Sequence, residues 1–232
     1  MACDLRHVLG CFLDYSDTTV VIPVKNEPAV GRVAGEALRK LPGARVIIIH
    51  KGALGNARSV MGNRRVSVMQ QRSNGKGAAV REALQRVKTS IVCLIDGDAT
   101  YSVDDLKRAI GIVRQGADLV LGNRFHGIDD DVMPAYVQLG NNILTTTANL
   151  LYGMGLRDSQ TGLRAMRTEA IKALELAERG FGIEEEMNIL ARKAGLRIRE
   201  IPIGYSVRVG ESKQFKLLDG VRLLLTNFKF LG

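Results

Sequence analysis

The residues with the most chemical consequence close an apolar run, Ile91-Val92-Cys93-Leu94-Ile95-Asp96-Gly97-Asp98. In extended backbone, residues i and i+2 point the same way, so Asp96 and Asp98 can address one hard divalent cation. Mg2+ or Mn2+ held there would bind a substrate diphosphate and offset the charge developing on it. Gly97 lets a ligand approach closely. The same acids also suit a turn before a helix whose cap is Ser102, and the local pattern fits both readings.

Such acids work only if a framework holds them at an edge. Thr19-Val20-Val21-Ile22 is a β-branched run closed by Pro23, as in a buried strand. Further strands are expected at Arg45–Ile49, Val66–Met69, Ile91–Ile95 and Asp118–Leu121. Helices are expected over 28–41, 54–61, 75–87 and 103–114, with Pro42-Gly43 stopping the first. Strands alternating with helices imply parallel pairing and right-handed crossovers, with ligands at the carboxyl ends. A long helix over 134–152 follows, then a segment, 156–167, that can return to the sheet. Helices at 169–177 and 183–194 precede a last strand, 198–201. Without a Pro/Ser/Gly linker or an internal repeat, the expectation is one α/β domain with a mostly parallel, doubly wound, Rossmann-like sheet.

Composition bounds the partners. The 232 residues carry 33 Lys plus Arg against 24 Asp plus Glu, a net charge of +9, with 46% apolar and 25% charged residues. These values exclude disordered, collagen-like and coiled-coil classes, and the charge favours an anionic partner without choosing one. No nucleic-acid partner is expected, because 5% aromatic content and no Trp leave few stacking platforms. Cys3, Cys11 and Cys93 lack CxxC spacing, which argues against a disulfide framework or a zinc site and for a reducing compartment. No signal peptide and no spanning run of roughly 18 apolar residues is read, so a cytoplasmic location is expected. His7, His50 and His126 form no metal-ligand pattern, and Gly75-Lys76-Gly77 fits neither the dinucleotide nor the P-loop spacing.

The motifs occur in a specific order. Thr19–Pro23 with Asn26-Glu27, Asn74-Gly75-Lys76-Gly77-Ala78-Ala79, Asp96-Gly97-Asp98 and Gly122-Asn123-Arg124 all follow strands. In this the chain resembles GT-A glycosyltransferases of family 2. Asp158-Ser159-Gln160-Thr161-Gly162-Leu163-Arg164, Gly180 to Glu186, Ile201-Pro202-Ile203-Gly204-Tyr205 and Arg208-Val209-Gly210-Glu211-Ser212-Lys213 are similar to those of polyprenyl-phosphate sugar synthases, archaeal dolichyl-phosphate hexose transferases above all. The resemblance covers about 18–220. It implies a GT-A domain with a nucleotide-sugar part at 18–124, an acceptor-side part at 125–212 and a C-terminal amphipathic helix at 213–232.

The resemblance further implies that Pro23, Lys25 and Glu27 line a nucleotide pocket that Lys76 and Gly97 complete, and that Asp96 and Asp98 flank the diphosphate, Asp98 being the better metal ligand. Arg124 would stabilise the departing nucleotide, while Arg164, Arg208 and Lys213 would meet the acceptor phosphate. The partners are then a nucleotide diphosphate sugar and a polyprenyl phosphate, with transfer inverting the anomeric carbon. A soluble acceptor, or a binding protein without turnover, remains open. Departures are His50-Lys51 in place of an Asp pair, Gln138 in place of an Arg, and Thr100 in place of a Gln. Of Glu184, Glu185 and Glu186, at most one or two are expected to point into a site, the rest forming a solvated face or partners for nearby Arg residues. Asp129-Asp130-Asp131 is expected to be solvated loop. Leu217, Val221, Leu224, Phe228 and Leu231, with Lys216, Arg222 and Lys229, suit a helix lying on an anionic membrane surface or packed on the domain. A peripheral position on the cytoplasmic membrane face follows from the first option.

Overall fold

The computed structural model describes residues 14–126, 132–209 and 217–231. Seven strands form the sheet: β1 (Thr18–Lys25), β2 (Arg45–Lys51), β3 (Val66–Gln70), β4 (Ile91–Leu94), β5 (Leu119–Asn123), β6 (Arg164–Arg167) and β7 (Ile198–Pro202). Their order is β3-β2-β1-β4-β6-β5-β7. The helices are α1 (Val30–Lys40), α2 (Lys76–Leu84), α3 (Val103–Arg114), α4 (Ala135–Tyr152), α5 (Thr168–Lys172), α6 (Ile183–Lys193) and α7 (Leu217–Phe228).

Alternation along the strands sorts side chains between two cores. Val20, Ile22, Val46, Ile48 and Cys93 pack under α1 and α3, while Val21, Ile47, Ile49, Val92 and Leu94 pack under α2 and α6. Covering both faces explains why these strands are continuously apolar. Val20 sits opposite Val46 on one side and Cys93 on the other, so β1 is central and both neighbours run parallel to it. Truncating an enclosed residue such as Ile48 to Ala costs about 2–5 kcal/mol.

Three elements differ from expectation. β6 is antiparallel to both β4 and β5, and so interrupts the parallel set. It enters the sheet from the carboxyl edge, which draws residues 158–163 across that edge. The helix expected over 54–61 shrinks to a 3-10 turn at Ala57–Ser59. Gly52 and Gly55 hold φ of 80° and 52°, and a Cβ on Gly55 would lie 2.3 Å from the Glu27 carbonyl oxygen, so this segment is moulded onto the end of β1. Finally, the helix expected over 169–177 stops at Lys172. Glu175 lies at φ 50°, and the Ala177 and Glu178 amides donate to the Glu186 carboxylate instead of continuing a helix.

Candidate functional site at the carboxyl edge of the sheet

Beyond Leu94 the chain turns sharply, with Ala99 at φ 62°, a strained value for a residue with a side chain. Asp98 Oδ1 accepts from the Thr100 amide at 3.2 Å and the Thr100 hydroxyl at 2.7 Å. Ser102, not Asp98, caps α3, accepting from the Asp104 amide at 3.1 Å. The turn role of Asp98 therefore uses one carboxylate oxygen. Its other, Oδ2, faces Arg208 at 3.4 Å.

Arg208 also binds Glu27, which is buried after β1. One guanidinium thus spans the first and fourth strand ends. It is held there by its own segment, since Ser206 donates to the Thr100 carbonyl and Val209 to the Asp98 carbonyl. Among the described residues, Arg208 Nε is buried without a hydrogen-bond acceptor. Burial alone would lower the pKa of this guanidinium, but Asp98 and Glu27 raise it.

Asp96 faces a second cation. Lys76 Nζ, in the first turn of α2, lies 2.7 Å from Asp96 Oδ1 and 2.7 Å from Glu184 Oε1. Burial works against the Lys76 charge, yet the two carboxylates outweigh it and raise its pKa. Burial likewise opposes the Asp96 charge, and Lys76 overcomes it, so the Asp96 pKa is lowered. Asp98 goes the other way: burial raises its pKa and the Asp96 charge adds to that.

Two glycines shape this edge differently. A Cβ on Gly162 would lie 2.2 Å from Asp96 Oδ2, so glycine there leaves room for the carboxylate. A Cβ on Gly97 would lie 2.4 Å from Val24 Cγ1. Packing against β1 thus already requires glycine at position 97. The Gly162 amide donates to the Tyr101 hydroxyl at 2.9 Å.

The expected pocket residues gather at the same edge. Pro23 lies in β1 opposite Ile49, and Lys25 ends that strand opposite Lys51. Asn26, at φ 53°, accepts from the Ala53 amide at 2.8 Å and ties the two strand ends together. Lys51 donates to Asn74, and His50 Nδ1 lies 3.0 Å from the Gly52 carbonyl oxygen. The first-turn amides of α2 are occupied: Gly77 donates to Gly180 and Ala78 to Arg179, both at 3.0 Å. They are not open to an anion.

The other two described arginines expected at phosphates are held by protein groups. Arg124 grips Asp158 through Nε at 2.7 Å and Nη2 at 2.8 Å, with its own amide on the same carboxylate at 3.0 Å. Its guanidinium lies over the Tyr205 ring, 5.4 Å from the centroid. Arg164 is fully enclosed, donating to the carbonyls of Thr161 and Ser159 and to Asn188 Oδ1. This corrects its placement as an acceptor-phosphate residue, because its hydrogen bonds are spent within the core. Lys213 and Asp129–Asp131 lie outside the described residues.

The Glu184–Glu186 run is buried throughout, which corrects the solvated-face alternative, while Arg164 lies close enough to act on the Glu184 and Glu185 charges. Glu184 holds Lys76, Glu186 holds the 177–178 amides, and Glu185 accepts from Gln160. Burial pushes the Glu185 carboxyl up to about 7. Sequence reasoning missed the Lys76–Glu184 pair and Asp158 as the partner of Arg124. The signal available for the first was an acid run one residue after Gly180-Phe181-Gly182.

Among the described residues, no group of three or more His, Cys, Asp or Glu forms a metal cluster. Asp96 and Asp98 still fit Mg2+ or Mn2+, ions held through one or two carboxylates with substrate phosphates completing the shell. The mutual repulsion that raises the Asp98 pKa is the kind a cation relieves.

Fold and site together define an α/β protein of the GT-A type, with carboxylates at the topological edge where such sheets bind ligands. Residues 19–175 match the model of "Glycosyl transferase family 2", and the chain belongs to that family. It is similar to Glycosyltransferase AglJ of Haloferax volcanii, 31% identical over 71% of this chain and 55% of the relative, so it spans about half that relative's length. It is 29% identical to the Dolichyl-phosphate hexose transferase of the same organism, over 86% of this chain and 87% of the relative. Among solved structures, it matches glucosyl-3-phosphoglycerate synthase from Mycobacterium tuberculosis in complex with Mn2+, uridine diphosphate and phosphoglyceric acid. That match has a TM-score of 0.74 and 18% identity, covering 95% of this chain and 81% of that one, a likeness of fold.

Proposed function

We propose that the chain transfers a hexose from a nucleotide diphosphate sugar to a polyprenyl (dolichyl-type) phosphate, with inversion at the anomeric carbon. The observation that carries this reading is the carboxylate pair Asp96–Asp98, flanked by two cations, Lys76 and Arg208, at the sheet's carboxyl edge. The dolichyl-phosphate hexose transferase relative, matched over most of both chains, supports the acceptor.

In this reading Pro23, Lys25 and Glu27 bound the nucleotide side, and Asp98, with Asp96, holds the divalent ion. Bound there, Mg2+ or Mn2+ supplies positive charge to the diphosphate leaving group. Lys76 keeps Asp96 ionised and fixed in place. Arg208, whose Nε has no acceptor among the described residues, offers its guanidinium to phosphate oxygen as Asp98 and Glu27 turn to their ligands. A phosphate monoester is already largely ionised near neutral pH, so the nucleophile needs no side chain to remove a proton. Positioning and charge neutralisation then account for the rate. Arg124, clamped by Asp158, sets the course of the backbone after β5. The protein would work peripherally at the cytoplasmic membrane face.

A screen by mass spectrometry, offering polyprenyl phosphate and several nucleotide sugars with Mg2+ or Mn2+, tests the reading. A hexosyl-phosphoryl lipid is the expected product. Transfer to phosphoglycerate or another water-soluble acceptor, with the lipid ignored, would replace it by the soluble-acceptor reading. Donor binding with no turnover on any acceptor would leave a binding protein.

A further inference from the structure

Helix α4 is unlike the other long helices: its 18 residues include no Asp, Glu, Lys, Arg or His. One face is docked. Leu144, Thr145 and Ala148 are buried, Thr145 bonds Ser159, and Asn149 bonds both backbone groups of Leu156. The opposite face carries Tyr136, Leu139, Ile143 and Leu150, which are 72%, 61%, 50% and 82% exposed. Spacings of three, four and seven put them in one stripe, about 21 Å long at 1.5 Å per residue. A surface helix in water carries charge on its outer face, whereas this one carries large apolar side chains.

The far end of the stripe is basic. Exposed Arg192 donates from Nε to the Tyr152 carbonyl at the end of α4, and exposed Lys193 donates to the Phe230 carbonyl beyond α7. Exposed Arg157 follows α4, and Leu225 and Phe228 are exposed on α7, which packs beside it. Apolar side chains rimmed by cations match an anionic lipid surface, into which the stripe sinks while the cations meet headgroups. A second copy of the chain is the poorer match, because α4 brings no carboxylate to answer those cations. Among the described residues no helix is long and apolar enough to cross a membrane, so the contact is one of lying on the surface.

We infer that α4, with the basic end formed by Arg157, Arg192 and Lys193, is the face by which the protein docks on an anionic bilayer. Thr145 pairs with Ser159 and Leu156 with Asn149, so the C-terminal half of α4 runs beside the segment that leads to Gly162 and Asp96. Lying flat, α4 brings the catalytic edge to the headgroup layer where a lipid phosphate resides. The inference extends the lipid-acceptor reading and rests on it for its purpose.

The test is co-sedimentation of the full chain with vesicles of phosphatidylcholine alone or mixed with phosphatidylglycerol. Binding to the mixed vesicles is expected, falling at least about tenfold in the Leu139→Glu/Leu150→Glu double variant, whose exposed sites leave folding intact. Arg192→Glu/Lys193→Glu should weaken binding and its salt dependence. Equal binding by wild type and the stripe variant, or none by either, overturns the inference. So does light scattering that shows a dimer which the stripe variant converts to monomer. Hexose transfer to polyprenyl phosphate dispersed in detergent is measured in parallel and should be equal in wild type and stripe variant. Vesicle binding without any lipid transfer would sink the acceptor reading and leave the docking face standing.

Discussion

Two charged regions lie side by side in this molecule, and they handle charge in opposite ways. At the sheet edge, Asp96, Asp98, Glu27 and Glu184 share two cations, and Arg208 keeps a buried nitrogen without an acceptor among the described residues. Behind it, Arg124 is held by Asp158 through two nitrogens, and Arg164 by two carbonyls and Asn188 through three. Under the proposed function, the first region exchanges its partners for a ligand's phosphates while the second keeps them, so basic residues drawn from similar motifs divide into ligand-facing and scaffold groups.

The sharpest way to break the comparison is to weaken the second region. Arg164→Met should cost about 3–5 kcal/mol of stability, since it strands the Thr161 carbonyl, the Asn188 side-chain oxygen and the nearby Glu184 and Glu185 charges. Chemical denaturation checks this, and a loss near zero would show that Arg164 is not part of the scaffold. Glu185 gives the next effect. Its folded pKa, about 7, stands above the usual 4.5 because of burial. Its contribution to stability is therefore full below about pH 4.5 and is lost as pH rises through 7, to the extent of roughly 3 kcal/mol. Glu185→Gln should flatten the stability profile across that window, as read by melts at several pH values.

At the edge the effects should appear in function. Gly162→Ala crowds the Asp96 carboxylate and is expected to lower hexose transfer by about 10- to 100-fold with the fold retained. Circular dichroism alongside the transfer assay separates the two. Glu27→Ala releases one tether of Arg208 and should weaken nucleotide-sugar binding by about tenfold, measured by calorimetry. Unchanged donor affinity would remove Glu27 from the pocket.

The parallel strands were legible because most are short runs of β-branched and apolar residues, a local signal. Ser102 as helix cap and the acid pair at the end of β4 were legible for the same reason. What stayed hidden depends on residues distant in sequence. Arg124 meets an acid 34 residues on, and Lys76 meets Glu184, after the chain has crossed the domain. Helical periodicity says that three consecutive acids face different ways, but it cannot say that α6 is enclosed on every side of its first turn. The antiparallel course of β6 likewise leaves no mark in four residues, Arg164–Arg167.

The central claim is that the Asp96–Asp98 edge is the reacting site, and Asp98→Asn tests it most directly. This variant keeps the side-chain shape and an oxygen for the Thr100 turn while removing the charge that faces Arg208. Transfer of hexose from a nucleotide sugar to polyprenyl phosphate, measured with saturating Mn2+, should fall by about 10²- to 10³-fold while the thermal midpoint stays the same or rises. Undiminished transfer in a folded Asp98→Asn protein would contradict the account.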